Sequence, residues 1–181
     1  QPIAVIGGHV RSAIPVPLDA TVDSKDHLAE WLIPNNVLST EYVSVPFKTD
    51  AIKKIGDYFK VIALFDSTHL FLRTERSDLN YIIKKAGDVL VLDGINSVAW
   101  WTSDKPISIG QFMYTGALGL STQYDPAMVV MPPTNKFVMR SVLQTPQNLA
   151  DPAFAQQYQY HFVNIVCDSN ARHSIRLDGV N

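Results

Sequence analysis

Few residues in this sequence have the types and spacing that catalysis needs. Its five histidines show neither the HxxxH nor the HExxH spacing of metal-binding helices. The single cysteine, Cys167, has no base placed near it in the sequence to generate a thiolate. The GALG segment at 116–119 is followed by neither a lysine nor a helix start, so it does not predict a phosphate site. The sequence therefore predicts a non-enzymatic protein without a cofactor.

Binding chemistry is better represented, in the adjacent pair Trp100 and Trp101. On a β-strand two neighbouring side chains point to opposite faces, so one ring enters a core and the other lies on the opposite face. An exposed tryptophan near Tyr114 or Tyr124 would suit a contact with a protein or a sugar. The alternative is that both rings are buried in a sheet covered on both faces. Trp100, Trp101, Tyr114 and Tyr124 are the candidate ligand-binding residues.

The stretch Gly56–Arg73, GDYFKVIALFDSTHLFLR, is the strongest structural signal around these residues. It predicts two strands folded over a tight turn at Asp66–Ser67. Alternate residues on both faces of the first strand are apolar, which is typical of a central strand covered on both sides. The stretch therefore predicts a hairpin at the centre of a β-sandwich-like unit.

Further strands are predicted on both sides of this hairpin. They are Ile3–Gly7, Glu41–Phe47, a second hairpin of Asn80–Lys84 and Asp88–Leu92, a pair Val98–Thr102 and Ile107–Phe112 joined by a turn at 103–106, Met128–Met131 and Phe137–Leu143. His27–Ile33 is predicted to be a short strand or a turn of helix that ends at Pro34. One helix is predicted at Ala150–Tyr158, where Asp151 can cap the first turn and Pro152 suits its first position. The predicted fold class is all-β.

Three pairs of segments repeat in the same order at nearly one offset. KPISIGQF (105–112) resembles PIAVIGGH (2–9) about 104 residues earlier, AMVVMPPTNKF (127–137) resembles AEWLIPNNVL (29–38) 98 residues earlier, and Asp168–Ser169 repeats Asp66–Ser67 after 102 residues. Such repetition predicts tandem antiparallel β-sandwich-like units of about 100 residues, with β-propeller blades as the alternative.

The repeat divides the chain into three predicted parts. Residues 1–23 are the end of a preceding unit with a proline-rich loop, 24–124 are a complete unit and 125–181 are the start of a following one. Because the chain begins at Gln1 inside an apolar run, we expect it to be a piece of a longer polypeptide. Partial units expose open strand edges, so we expect pairing with neighbouring units or with another chain.

Charge and hydropathy narrow the classes of partner. The net charge is -2, with no long run of Lys or Arg, so the sequence predicts no nucleic-acid partner. No apolar stretch approaches the roughly 18 residues that span a bilayer, so no membrane partner is predicted.

Four stretches resemble the N-terminal domain of the IgGFc-binding protein family, which is found in mucus-type and other extracellular proteins. Gly8–His9 with Asp26–Leu28 resemble its G-H-x-C … C-D-H-L segment, Thr40–Phe47 its T-E-Y-V-x-V-P-F strand, Asp57–Leu72 its D-x-F-x-V-x-A-x-x-D-x-T-x-V strand pair, and Thr102–Phe112 with Asp125–Pro133 its T-S-D-K-P-V-x-V-x-Q and D-P-A-M-V-x-V-P-P segments. The expected structural motif residues are Asp66, Ser67, Asp104, Lys105, Pro106, Asp125 and Pro126.

The resemblance also gives expectations for the proline-rich loop. The paired cysteines of the family fall at Arg11 and Lys25, so the bridge they would form is lost here. If the loop closes as that bridge would close it, His9, Asp26 and His27 lie near one another and predict a small metal or pH-sensitive site. The alternative is two histidines that hydrogen-bond to loop carbonyls.

The resemblance implies a non-enzymatic, extracellular structural or adhesive binding module of a larger matrix- or mucus-type protein. Its expected partners are proteins or neighbouring units of the same polypeptide; binding of antibody Fc does not follow for this chain. Two alternatives stay open: a glycan-binding β-sandwich module that uses the aromatic residues above, and a hydrolase with a metal site at His9 and His27.

Overall fold

The structure is a computed structural model that describes residues 3–15, 25–49, 55–119, 124–143 and 162–178. The chain divides into two compact units, Gln1–Lys136 and Phe137–Asn181. Nine strands are found in the described residues, all in the first unit: β1 (Ile6–Ser12), β2 (Asp26–Trp31), β3 (Ser39–Ser44), β4 (Asp57–Ala63), β5 (Thr68–Thr74), β6 (Asp78–Ile83), β7 (Val89–Ile95), β8 (Ala99–Met113) and β9 (Met128–Val130). They pair antiparallel, so the prediction of an all-β fold is confirmed.

A small sheet consists of β1 and β2 alone. Ile6 lies opposite Trp31 and His9 opposite Leu28, and after an irregularity in β1 Ser12 lies opposite Asp26. Arg11 and Lys25 are next to this last pair, at the end of the ladder from which the proline-rich segment departs. The strands therefore bring together the two ends of that segment without a disulfide bridge.

The larger sheet is built around β8. Ile107 pairs with Ser39 of β3 and also with Ala63 of β4, so β3 and β4 lie on opposite edges of β8. Ala99–Thr102 pair with β3 and also with β5, so β5 lies on the same edge of β8 as β4. The strands β6 and β7 pair with β5 and β4, respectively. The strands β4 and β5 thus lie end to end along one edge of β8, and β6 and β7 lie end to end beside them. We call each such line of strands a row of the sheet.

This topology corrects both predicted hairpins. The strands β4 and β5 form where the sequence predicts them, but they do not pair with each other, and neither do β6 and β7. Leu64–Ser67 and the turn after β6 interrupt long strands and do not reverse the chain. A turn motif in the sequence shows where a strand ends. Whether the chain then reverses or continues in the same direction depends on the strand with which the next segment pairs.

The strand β8 is a second correction, since Val98–Thr102 and Ile107–Phe112 were predicted to be two strands. The structure has one strand of 15 residues that continues through residues 103–106. It is strongly curved, as the position of Phe59 shows. Phe59 lies opposite Gln111 of β8, and Gln111 and Trp101 would be about 33 Å apart if the ten residues between these positions formed a straight strand. The rings of Phe59 and Trp101 nevertheless lie 4.8 Å apart, so β8 curls and the sheet forms a half-barrel.

The core lies on the inner face of this curl. Its buried residues alternate along the strands: Tyr42, Phe59, Val61, Ala63, Leu70, Leu72, Ile83, Ala99, Trp101, Ile107, Ile109 and Met131. The outer face of β4 is not covered by other described residues in the same way, since Ile62 is 39% exposed and Lys60 is exposed as well. The prediction of a central strand buried on both faces is therefore wrong for β4.

The second unit has little regular structure in the residues that are described, 137–143 and 162–178. Asp168 begins a turn in which its Oδ1 accepts a hydrogen bond from Asn170 N (2.8 Å) and its carbonyl accepts one from Ala171 N (2.9 Å). A 3-10 helix follows at Arg172–Ser174. The strand expected at Phe137–Leu143 does not form, and the repeat of Asp66–Ser67 at Asp168–Ser169 is not flanked by strands in the described residues 162–178. The helix predicted at Ala150–Tyr158 lies outside the described residues.

Candidate functional site

The adjacent tryptophans are separated by the sheet, as strand alternation predicts. Trp101 is fully buried: it stacks obliquely on Phe59, and its Nε1 donates a hydrogen bond to Ser44 Oγ (2.9 Å). Trp100 is 44% exposed and lies on the outer face of β8. A half-exposed indole presents apolar area together with an N–H donor, which is typical of residues at protein and carbohydrate interfaces. Trp100 is therefore the candidate contact residue, while Trp101 is structural.

Charged and aromatic side chains surround Trp100 on the outer face. Arg73 of β5 lies opposite it on one side and Val43 of β3 on the other. Arg73 Nε is 3.4 Å from Asp78 Oδ1, and its guanidinium carbon is 5.4 Å from the centre of the Phe71 ring. Both contacts are at the surface, where the Arg73 side chain stays 60% exposed and available to a partner. The result is a patch of tryptophan, phenylalanine and arginine, a composition enriched in protein interfaces. We call Val43, Phe71, Arg73, Asp78 and Trp100 the outer-face patch.

An open groove of about 430 Å³ continues from this patch toward the middle of β8. Its lining is mixed, with apolar side chains next to hydroxyl, amide, imidazole and carboxyl groups: His69, Leu70, Phe71, Asn80, Tyr81, Ile82, Thr102, Ser103 and Asp104. Asp104 Oδ1 accepts a hydrogen bond from His69 N (2.8 Å), which fixes the rim of the groove. The groove is shallow and accessible, so it suits a surface of another macromolecule better than a small substrate.

The two tyrosines proposed with Trp100 are not part of this patch. Tyr114 is 6% exposed and packs edge-on against Tyr58, with ring centres 6.4 Å apart. It follows the last residue of β8, whereas Trp100 is the second residue of that strand. Tyr124 is half-buried near the start of β9. Trp100 is thus the candidate aromatic residue that lies on the outer-face patch, and its neighbours there are Phe71 and Arg73.

The histidines beside the proline-rich segment are both exposed. His9 of β1 lies opposite Leu28, and because His27 precedes Leu28 in β2, the two imidazoles point to opposite faces of the small sheet. His9 Nδ1 accepts a hydrogen bond from Arg11 N (3.1 Å), and Asp26 Oδ1 accepts one from His27 N (2.7 Å). A search of the described residues finds no group of three or more His, Cys, Asp or Glu that could hold a metal ion. The side chains of His9 and Asp26 thus accept local backbone hydrogen bonds, whereas His27 takes part through its backbone N.

Five of the expected motif residues, Asp66, Ser67, Asp104, Lys105 and Pro106, lie in one band across the large sheet. We call residues 64–67, 84–88 and 103–106 the turn line: the first two segments interrupt strands, and they lie beside residues 103–106 of the continuous strand β8. Lys105 Nζ donates to the carbonyls of Asp66 (2.6 Å) and Ser67 (3.0 Å), and Leu64 N donates to the Pro106 carbonyl (3.3 Å). Two stretches that carry the family resemblance, nearly forty residues apart, are thus bonded directly to each other.

The same band is tied to the next row of strands. Asp66 Oδ1 accepts a hydrogen bond from Ala86 N (2.8 Å), and Ser67 N donates to the Lys84 carbonyl (2.9 Å). Ser67 has a positive φ of 51°, a left-handed conformation that is uncommon for a residue with a side chain. A second open groove of about 580 Å³ lies here, lined by Leu64, Phe65, Asp66, Ala86, Asp104, Lys105 and Pro106. Asp125 and Pro126 are elsewhere, just before β9, where Asp125 is exposed and Pro126 buried.

One buried polar network was not anticipated from the sequence. Asp57 is 3% exposed, and its Oδ2 accepts hydrogen bonds from Gln111 Nε2 (2.6 Å) and Phe47 N (2.9 Å). Gln111 Nε2 also donates to the Val45 carbonyl (2.8 Å). Burial raises the pKa of Asp57 to about 6, although both hydrogen bonds act to lower it. The network joins the segment after β3 to the end of β8 and so closes one end of the half-barrel.

Sequence reasoning also missed Phe71, Arg73 and Asp78 as partners of Trp100. Their signal was present, since Phe71 and Arg73 alternate with the buried Leu70 and Leu72 and must share the face opposite the core. What the sequence lacks is the pairing of β5 with β8, which brings Arg73 opposite Trp100.

Comparison with known proteins identifies one family. A family model described as IgGFc binding protein matches residues 1–181, the whole chain. The comparisons with curated proteins and with solved structures give no match. The family match confirms the resemblance read from the four stretches of the sequence, of which two meet in the turn line. None of the helices in the described part of the chain has the length and apolarity of a membrane-spanning segment.

Proposed function

Because this chain belongs to the IgGFc-binding protein family, we propose that it is a non-enzymatic, extracellular protein-binding module of a larger adhesive or matrix-type protein. The family supports binding in general, and the finer statement is ours. We further propose that the partner is bound on the outer-face patch. The observation that carries the site is Trp100, which is 44% exposed on the outer face of the large sheet between Arg73 and Val43.

The physical reasons for this site are its composition and its accessibility. Tryptophan and arginine contribute a large share of binding energy in protein interfaces when they are buried at the centre of the contact. Here the Arg73 side chain is 60% exposed beside Asp78 and the Phe71 ring, so its guanidinium is accessible to an acidic or aromatic group of a partner. The adjoining groove adds hydrogen-bonding groups and the exposed Ile82 around this centre.

A direct test uses Trp100→Ala in a binding assay with immunoglobulin Fc, the ligand named in the family description, and in parallel on a glycan array. We expect a protein ligand to lose about tenfold or more in affinity, in line with the truncation of a central tryptophan. The control is Val91→Ala, a residue of similar exposure, 45%, on the outer face of β7. Protein binding that both variants retain would place the contact elsewhere.

The glycan-binding alternative keeps one supporting observation, the exposed indole beside an open polar groove. It predicts that array signals from defined sugars are lost in Trp100→Ala and retained in Val91→Ala. Such a result would replace a protein partner with a carbohydrate at the same patch. The hydrolase alternative has no comparable support, because His9 and His27 lie on opposite faces of the small sheet.

A further inference from the structure

The pair β1–β2 has the same register as the pair β8–β9. In β8–β9, Gly110, Gln111 and Phe112 lie opposite Val130, Val129 and Met128. In β1–β2, Ile6, Gly7 and Gly8 lie opposite Trp31, Glu30 and Ala29. In these three pairs, the β8 residue corresponds to the β1 residue 104 positions earlier. The β9 residue corresponds to the β2 residue 99 positions earlier.

Two backbone hydrogen bonds outside the ladders follow the same correspondence. Leu32 N donates to the Val5 carbonyl (2.9 Å), as Met131 N donates to the Ile109 carbonyl (2.9 Å). After these strands, Val37 N donates to the Pro34 carbonyl, as Lys136 N donates to the Pro133 carbonyl. The structure therefore aligns Pro34 with Pro133, whereas the offset of 98 residues in the sequence comparison aligns Pro34 with Pro132. It also makes β1 the counterpart of the second half of β8.

The counterpart residues differ sharply in burial. Ile107 and Ile109 of β8 are fully buried, whereas Ile3 and Val5 are exposed. The strand that covers the first pair is β4, in which Val61 lies opposite Ile109 and Ala63 opposite Ile107. In the described residues β1 is paired on one edge only, by β2, so the edge that corresponds to the β4 side of β8 is open.

The second unit contains the matching half of this contact. By the Asp66 and Asp168 correspondence, Val61 and Ala63 are equivalent to Val163 and Ile165. Both of these side chains are exposed, as is Phe162 beside them, and no strand is formed by the described residues 162–178. One segment thus resembles β8 without a β4, and the other resembles β4 without a β8.

We propose that Ile3–Ile6 of one copy of this chain pairs antiparallel with Phe162–Ile165 of a second copy, as β8 pairs with β4. The register follows from the equivalence: Val5 lies opposite Val163, and Ile3 opposite Ile165. Main-chain hydrogen bonds supply the pairing, and the exposed apolar side chains become covered. Because the two surfaces differ, the contact is head-to-tail and extends into open chains or closes into rings. The proposal does not depend on the outer-face patch.

The experiment is sedimentation velocity of the full chain over a wide range of concentration. We expect reversible association that weakens about tenfold or more in Ile165→Lys, since a lysine directed into the new interface opposes strand pairing. The matched control is Val89→Lys on the outer face of β7, outside the outer-face patch and its groove, with an exposure of 50% against 57% for Ile165. A chain that stays monomeric throughout overturns the proposal, as does association that both variants weaken equally.

Disulfide trapping tests the register independently. In a Cys167→Ser background, Val5→Cys protein mixed with Val163→Cys protein is expected to form a cross-linked dimer faster than either alone. The control mixture pairs Val5→Cys with Val166→Cys, whose side chain points to the other face of an extended strand. Equal cross-linking in both mixtures would contradict the proposed register. These outcomes are separate from those of Trp100→Ala, so failure of one proposal leaves the other intact.

Discussion

At the residue scale, Asp57 shows how a polar group can be buried in this half-barrel. Its carboxylate accepts two hydrogen bonds but has no cationic partner among the contacts that fix it, Gln111 Nε2 and Phe47 N. Desolvation is therefore the largest effect on its ionisation and raises the pKa to about 6 from a reference of 3.8. The folded state takes up a proton more readily than the unfolded chain, which links stability to pH.

We expect Asp57→Asn to remove this pH dependence. Since the folded pKa is the higher one, the stabilisation is fully present below about pH 4 and is lost as the pH rises through about 6. A difference of roughly two pKa units corresponds to about 3 kcal/mol in the free energy of unfolding. The difference between the wild type and Asp57→Asn should therefore change by about this amount between pH 4 and pH 7.

The measurement is chemical denaturation at a series of pH values, with Asp93→Asn as control. Asp93 is an exposed carboxyl of β7, so Asp93→Asn makes the same chemical change outside the buried network. If the free energies of unfolding of the wild type and Asp57→Asn changed in parallel with pH, burial would not raise the pKa of Asp57, and the prediction would be wrong.

At the scale of strands, the turn line explains how a long sheet can curl sharply in its middle. The interruptions at residues 64–67 and 84–88 lie beside residues 103–106 of the continuous strand β8, and side chains from one row satisfy backbone groups of the next. Regular ladders resist a sharp bend, whereas irregular segments bonded through side chains accept it. The residues that carry the resemblance in β8, Asp104 and Lys105, therefore have an identifiable structural task.

Lys105→Met tests that task, because methionine keeps the apolar stem and removes the ammonium donors. We expect a loss of about 1 kcal/mol in the free energy of unfolding, the value of two hydrogen bonds discounted for partial exposure. Hydrogen exchange at the amides of Ser67 and Ala86 should quicken, since both bonds depend on the position of the turn line. Lys84→Met, at an exposed lysine of the next row, is the control. Unchanged exchange at both amides in Lys105→Met would contradict the role assigned to Lys105.

Strand positions were largely predictable from the sequence, whereas strand partners were not. Alternation located β4 and β5 and separated Trp100 from Trp101, because side-chain period is a local property. The same Asp66–Ser67 signal fits a hairpin or an interruption of one long row, and the choice depends on β8, whose residues 99–113 come much later in the chain. The patch around Trp100 was missed for the same reason: Arg73 reaches it only through that pairing.

At the scale of the whole molecule, the two units differ in what holds them together. The core formed by the described residues ends at Met131, inside Gln1–Lys136, and contains Phe59, Trp101 and Ile109. The described part of Phe137–Asn181 exposes Val138, Met139, Phe162 and Ile165. The division into parts of three tandem units stays a prediction. The matching registers of β1–β2 and β8–β9 are one structural similarity between the proposed units.

A chain shortened to residues 1–136 separates the folding of the core from the assembly that we propose. It retains the described core, so we expect one cooperative unfolding transition with a free energy within about 1 kcal/mol of the full chain. Guanidinium denaturation followed by tryptophan fluorescence measures this, because Trp101 is fully buried and loses its environment on unfolding. The same protein should sediment as a monomer, since it lacks Phe162–Ile165. Loss of cooperative unfolding would mean that residues beyond 136 complete the core, whereas continued self-association of a well-folded 1–136 would show that the open edge of β1 has a different partner.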